Sequence, residues 1–183
     1  MKKSICKLFS ILLCALFLAA ALLPGMRGFT ASAAGEDGRP VAVIYLCISG
    51  IHLPYIFGHA WICISNVSNE TLTVGPQTLA PGEMLSVGLH AGGGMAFNRE
   101  MGEYRGSSVS AIQRQISRED LQRAETEILN SKWNYYLLFS HNCTNFASAV
   151  WKAATGESFR TGVFPFVLKS QLPSDQTVSL YIG

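Results

Sequence analysis

Residues 140–156 read SHNCTNFASAVWKAATG, and the parsing of this stretch decides the fold. Phe146, Ala147, Val150 and Ala154 recur at spacings of three and four residues, the period of one face of an α-helix. Gly156 suits the left-handed conformation that closes a helix. The spacing therefore predicts a helix over Cys143 to Thr155 with one apolar face that needs a sheet to pack on. The aromatic run before it, Trp133 to Phe139, reads as a buried strand that Ser140-His141-Asn142 interrupts.

Working outward, Ser117-Arg118-Glu119-Asp120 supplies an N-cap hydroxyl and two carboxylates for the first turn of a second helix. Leu121, Ala124, Ile128 and Leu129 form its apolar stripe. Strands are expected at Val41 to Ser49, Gly58 to Asn66, Met84 to Leu89, Ser108 to Ile112, Val163 to Leu168 and Val178 to Ile182. Thr71 to Val74 is short and β-branched, and after the turn chemistry of Asn66 to Glu70 it is expected to pair with the second strand. Gly92-Gly93-Gly94 lacks the Lys-Ser/Thr of a phosphate loop and reads as a flexible connection. The fold class expected is α+β, an antiparallel sheet packed against the helix that carries Cys143.

The 183 residues are 49% hydrophobic and 14% charged, which excludes a disordered class. Four of the 14 basic residues, Lys2, Lys3, Lys7 and Arg27, lie in the first 27 positions, and all 12 acidic residues lie beyond Ala34. The chain beyond Ala34 is therefore slightly acidic, with no basic cluster for phosphate, so no nucleic-acid partner is expected. The N-terminus has the three parts of a secretory signal peptide: Met1-Lys2-Lys3, an apolar run from Leu8 to Leu23, and Ala31-Ser32-Ala33-Ala34. Cleavage after Ala33 or Ala34 is expected, since the apolar run is short for a bilayer span of about 20 residues. The expected organisation is a signal peptide over 1–34, a disordered mature N-terminus over 35–40 and a single domain over 41–183. The product is expected to be secreted and monomeric, without a membrane span after cleavage.

Three cysteines remain after that cut, Cys47, Cys63 and Cys143. An odd thiol in an oxidising compartment is either buried and inert or kept because it reacts. Cys47 and Cys63 fall opposite each other if the hairpin between their strands centres on Tyr55, which leaves them bridged or packed together under the helix. Cys143 sits at the first turn of its helix, where backbone N–H groups and the dipole favour the thiolate. Those N–H groups, with Asn142, are candidate donors to an oxyanion. A lone cysteine is more commonly a small buried hydrophobe, so position alone does not choose.

Of the four histidines, His59 is the best candidate base, because Gly58 permits close approach at the start of an otherwise apolar strand. His52 and His90 have Pro or Gly neighbours and read as surface residues. His141 is two positions from Cys143 at a strand-to-helix turn, where the two side chains diverge. No Cys-x-x-Cys pair occurs and only His141-x-Cys143 approaches metal-ligand spacing, so neither a metal nor another cofactor is expected.

Gly58-His59-Ala60-Trp61-Ile62 on a strand, followed by a hairpin and then by Asn142-Cys143-Thr144-Asn145-Phe146 opening a helix, resembles the circularly permuted branch of the papain-like superfamily. That branch is related to NlpC-type peptidases and contains the lecithin–retinol acyltransferase group. The resemblance covers Val41 to Thr155. It implies Cys143 as nucleophile, His59 as general base and a polar residue that orients His59. The departure is at this third position. Folding the hairpin about Ser68-Asn69 brings Gln77 or Thr78 opposite His59, and a backbone carbonyl is the other candidate. The implied activity is thiol-dependent hydrolysis or transfer of an amide or ester acyl group, with peptide, cell-wall or acyl substrates. The alternative is a secreted binding or structural module that keeps the fold without turnover.

Overall fold

The computed structural model describes residues 39–50, 56–92, 94–160 and 164–183, all within one compact unit, Ala31–Gly183. The expected signal peptide and His52 lie outside the described residues, as do 35–38. A six-stranded antiparallel sheet runs in the order β6-β5-β2-β1-β7-β8. Its strands are β1 (Ala42–Ile48), β2 (Ala60–Asn66), β5 (Met84–His90), β6 (Gly94–Phe97), β7 (Ser107–Ile116) and β8 (Val178–Ile182). A separate two-stranded ribbon joins β3 (Leu72–Val74) to β4 (Gln77–Leu79). The helices are α1 (Arg99–Glu103), α2 (Arg118–Ile128), α3 (Cys143–Thr155) and α4 (Pro165–Lys169). The molecule is thus mixed, with a large antiparallel sheet and a few helices.

The two central strands are buried on both faces, which explains why their sequences read as continuous apolar runs. Ile44, Leu46, Ile62 and Ile64 face α3, whose Phe146, Ala147, Val150 and Ala154 are fully buried against them. Burying a side chain such as Phe146 or Val150 stabilises the fold by about 1.5–3 kcal/mol relative to leaving it exposed. Cys47, Trp61 and Cys63 point to the opposite face and pack with Tyr104, Val109, Ala111 and Ile182.

Both long helices begin as their sequences dictate, and α3 also ends so. Ser117 caps α2 in a reciprocal box with Asp120, and Gly156 closes α3 at φ 74°. Leu129 departs from its expected stripe: it is the C-cap of α2 and stands half-exposed.

Three strand expectations are corrected. Trp133 to Phe139 is not a strand, because Asn130 caps a 3-10 turn over Ser131–Asn134 that buries Trp133 alone. Beyond it only the isolated bridge between Leu137 and His141 forms. The strand expected over Val163 to Leu168 is a helix in its described part, since Pro165 occupies the first turn of α4, where its fixed φ and missing N–H cost least. The segment Thr71 to Val74 pairs with Gln77–Leu79, not with β2, whose second neighbour is β5. The tight turn at Gly75, with φ 58°, closes that ribbon on itself.

Candidate functional site

His59 precedes β2 by one residue and is fixed from both sides of its backbone. Its N–H donates to Ser49 Oγ at 3.0 Å, and its carbonyl accepts from Ser49 N–H at 2.9 Å. Tyr104 Oη donates to the same Ser49 hydroxyl. Gly58 allows this clamp: a Cβ there would lie 2.8 Å from the Ser49 carbonyl oxygen, and its φ is 79°.

The ring of His59 is 2% exposed and joins two groups that the chain keeps far apart. Nε2 lies 3.0 Å from Glu100 Oε1. The thiol of Cys143 interacts with the same imidazole, each group favouring the other's charged form. The expected meeting of a strand start and a helix start is therefore present. Trp61 stacks along the ring at 5.6 Å between centroids and keeps that side dry.

Glu100 is the residue that sequence reasoning missed. It is fully buried on α1, with Oε1 also 2.9 Å from His90 Nε2 and Oε2 accepting from Ser86 Oγ at 2.8 Å. Ser86, Gly88 and His90 alternate along β5 and so share one face. Gly88 makes room for the carboxylate, because a Cβ there would lie 3.0 Å from His59 Nε2 and nearer still to Glu100 Oε1. His90 is accordingly buried, not a surface residue, its ring 4.7 Å from that of His59. Gln77 and Thr78 sit in the β3–β4 ribbon, where Gln77 accepts from Asn98 and Thr78 is exposed. Neither is the partner of His59.

Charge follows from this geometry. Burial alone depresses an imidazole, but the hydrogen bonds from Cys143 and Glu100 outweigh it and raise His59 to about 9. Burial pushes the Glu100 carboxyl up, yet its two histidine partners bring it down to about 2. The Cys143 thiol is likewise pushed up by burial and brought below its ordinary value by His59, by the Ala60 N–H and by the Tyr136 hydroxyl. An imidazolium above its ordinary pKa beside a thiol below its own favours the ion pair of thiolate and imidazolium.

Asn142 caps α3. Its Oδ1 accepts from the N–H groups of Thr144 and Asn145 at 2.9 and 3.2 Å, and its Nδ2 donates to the Leu138 carbonyl at 2.7 Å. Two of the helix N–H groups expected to hold an oxyanion are thus engaged by the cap itself. Tyr136, whose hydroxyl bonds the sulfur, is the other side chain at this position that the sequence did not reveal. His141 does diverge, its ring lying against Trp133 and Tyr135 with Nδ1 on the Tyr135 carbonyl.

Cys47 and Cys63 are free and buried, and they are not opposite each other: Cys47 faces Trp61 and Cys63 faces Tyr45. The observed register differs from the one centred on Tyr55, which slides the pair into diagonal positions. They also lie on the sheet face away from α3, so they do not pack under that helix. Burial and Cys63 hold the Cys47 thiol well above its ordinary value, and Trp61 Nε1 donates to Cys63 Sγ at 3.3 Å.

Among the described residues one group has the donor set of a divalent-metal site, His59, His90 and Glu100, with ligand atoms within 4.8 Å of one another. Two of the three, Glu100 and His59, are already joined in the hydrogen-bonded chain from Ser86 through Glu100 to His59. Comparison with protein-family models, with curated proteins and with solved structures finds no match to this chain.

Proposed function

We propose that the chain is a secreted cysteine-dependent hydrolase or acyltransferase of the circularly permuted papain-like kind, acting on amide or ester bonds. One observation carries the reading: the His59 ring stands between the Cys143 thiol and the Glu100 carboxylate, the order nucleophile, base and orienting acid. The signal-like pattern of residues 1–34 points to export, and peptide or cell-wall amides are substrates that an exported enzyme would meet.

In the proposed cycle the His59 imidazole holds the proton of Cys143, and Sγ attacks the substrate carbonyl carbon. The C–O electrons move onto oxygen, stabilised by the Cys143 N–H at the helix start and by the Tyr136 hydroxyl. Collapse of the tetrahedral species breaks the bond to the leaving group, which takes the proton from His59 and leaves a thioester on Cys143. Water or an acceptor hydroxyl or amine then gives a proton to His59, attacks the thioester carbon and releases the acyl product with the thiol regenerated. Glu100 stays ionised throughout and holds the imidazole in register; His90 and Ser86 hold Glu100. No metal or cofactor enters these steps.

A second reading, a binding module without turnover, draws on the 4% exposure of Cys143. The other argument for it, the lack of an orienting group for His59, is removed by Glu100. Incubation of the folded protein with activated aryl esters and intact-mass measurement distinguishes the two. The enzyme reading predicts an acyl adduct on Cys143 that hydroxylamine removes and that Cys143→Ala lacks. A chain that never acquires the adduct, under conditions where small alkylating agents reach Cys143, supports the binding module.

A further inference from the structure

Seven of the ten large apolar side chains exposed among the described residues lie on three segments: one leads into His59, one leads into Cys143, and the third packs on the first. Ile56 and Phe57 immediately precede the Gly58-His59 clamp, at 56% and 41% exposure. Tyr135, Leu137, Leu138 and Phe139 lead into Asn142-Cys143, with Phe139 at 71%. Phe166 stands on α4, and its ring stacks on Phe164, which packs in turn on Phe57 at 4.9 Å between centroids. The Leu138 carbonyl is bonded to the Asn142 side chain, so the second segment is tied directly to the helix start.

The same segments lack charge. No Asp, Glu, Lys or Arg occurs over residues 40–69, 133–151 or 161–168. Cations stand at the ends of the third stretch: Arg160 and Lys169 are both exposed and bracket the Phe164–Phe166 stack. The acid nearest to Arg160 in sequence, Glu157, is engaged by Arg114 at 2.9 Å. Folded proteins rarely leave this many large apolar side chains facing water on neighbouring segments. Exposed aromatics with basic residues at their edge and no acid between them have the composition of a surface that enters the interface of an anionic bilayer. A second copy of the chain fits less well, because a two-fold contact through this face would bring the two Arg160 and Lys169 sets toward each other.

We propose that the face around the mouth of the dyad docks on anionic phospholipid membranes, with Phe139 and Phe166 entering the interface and Arg160 and Lys169 reading the lipid charge. The docking needs no catalytic step, so it stands or falls independently of the thiol chemistry.

The test is sedimentation of the folded protein with phosphatidylcholine vesicles, with and without phosphatidylglycerol. Partitioning should rise on the order of tenfold with the anionic lipid, since each basic residue at such a surface contributes a few-fold. Phe139→Ser and Phe166→Ser should each weaken binding to both vesicles several-fold at an unchanged melting temperature. Arg160→Gln with Lys169→Gln should remove the preference for phosphatidylglycerol while leaving residual binding. Failure of the wild-type protein to bind either vesicle overturns the proposal, as does binding unaffected by both serine variants. So does a wild-type dimer in solution that Phe139→Ser converts to monomer, since a second copy then covers the face.

Discussion

Glu100 Oε1 lies 3.0 Å from His59 Nε2 across 41 positions of sequence, and this contact joins a third ionisable group to the Cys143–His59 pair. Both partners are buried, so the interaction is little screened by salt and its geometry is set by the packing of α1 on β5.

Gly88→Ala tests the space that this contact requires. The added methyl would displace the Glu100 carboxylate from His59, while the exposed surface of the molecule is untouched. Loss of an orienting carboxylate costs about 10²–10⁴-fold in turnover where such relays operate. Measured kcat should fall by that order with KM changing little, and an unaffected kcat would mean that Glu100 has no part in the chemistry.

The two residues that sequence reasoning favoured as orienting groups should be nearly silent. Thr78→Ala and Gln77→Ala alter the outward side chains of the β3–β4 ribbon, neither of them a partner of His59, so stability should change by less than about 0.5 kcal/mol. Turnover, read in the same assay, should match the wild type. A large loss in either variant would restore the hairpin as part of the site.

Asn142→Ala should destabilise the protein by about 1–2 kcal/mol, the ordinary cost of an N-cap, because two N–H groups and the Leu138 carbonyl lose their partner together. Denaturant unfolding measures it. Because the freed N–H groups lie at the Cys143 end of α3, labelling of that thiol should also change in rate.

The relay also makes stability depend on pH in a defined window. Glu100 is held at about 2, below its ordinary 4.5, so its contribution is present above 4.5 and lost as pH falls toward 2. His59 is raised to about 9 from 6.5, so its contribution is complete below 6.5 and lost as pH rises through 9. The difference in melting temperature between wild type and Glu100→Gln should therefore be greatest between pH 4.5 and 6.5 and shrink on either side. A difference that is flat from pH 2 to 9 would contradict the ion-pair description.

The two ends of the relay were legible in the sequence for local reasons. Helix period, cap and closing glycine mark α3 within a single short stretch, and Gly58-His59 at the head of an apolar run marks β2. The third member was not, because Glu100 stands in a short helix whose sequence, Arg99 to Glu103, has no periodic signal, and its burial depends on β5 lying beside β2. The misplacement of Gln77 and Thr78 has the same origin: the hairpin after β2 closes on itself through Gly75, which sequence spacing does not distinguish from a return to the sheet. His90 was misread because its glycine neighbours suggest a loop, whereas it is the last residue of β5 and points inward. The run from Trp133 to Phe139 shows the reverse error, aromatic composition taken for burial where Tyr135 and Phe139 stand in solvent and only Trp133 is buried.

The central claim is that Cys143 is an activated thiol because His59, held by Glu100, stabilises its ionised form. The most direct measurement is the rate of alkylation of Cys143 by a small electrophile such as iodoacetamide, followed by mass spectrometry from about pH 5 to 10 in wild type, His59→Ala and Glu100→Gln. Wild-type labelling should already be appreciable near about pH 6, and His59→Ala should move its rise toward the free-thiol value of about 8.5, with Glu100→Gln between them. Labelling that begins only above about pH 8.5 in all three proteins would contradict the account and reduce Cys143 to a buried hydrophobe.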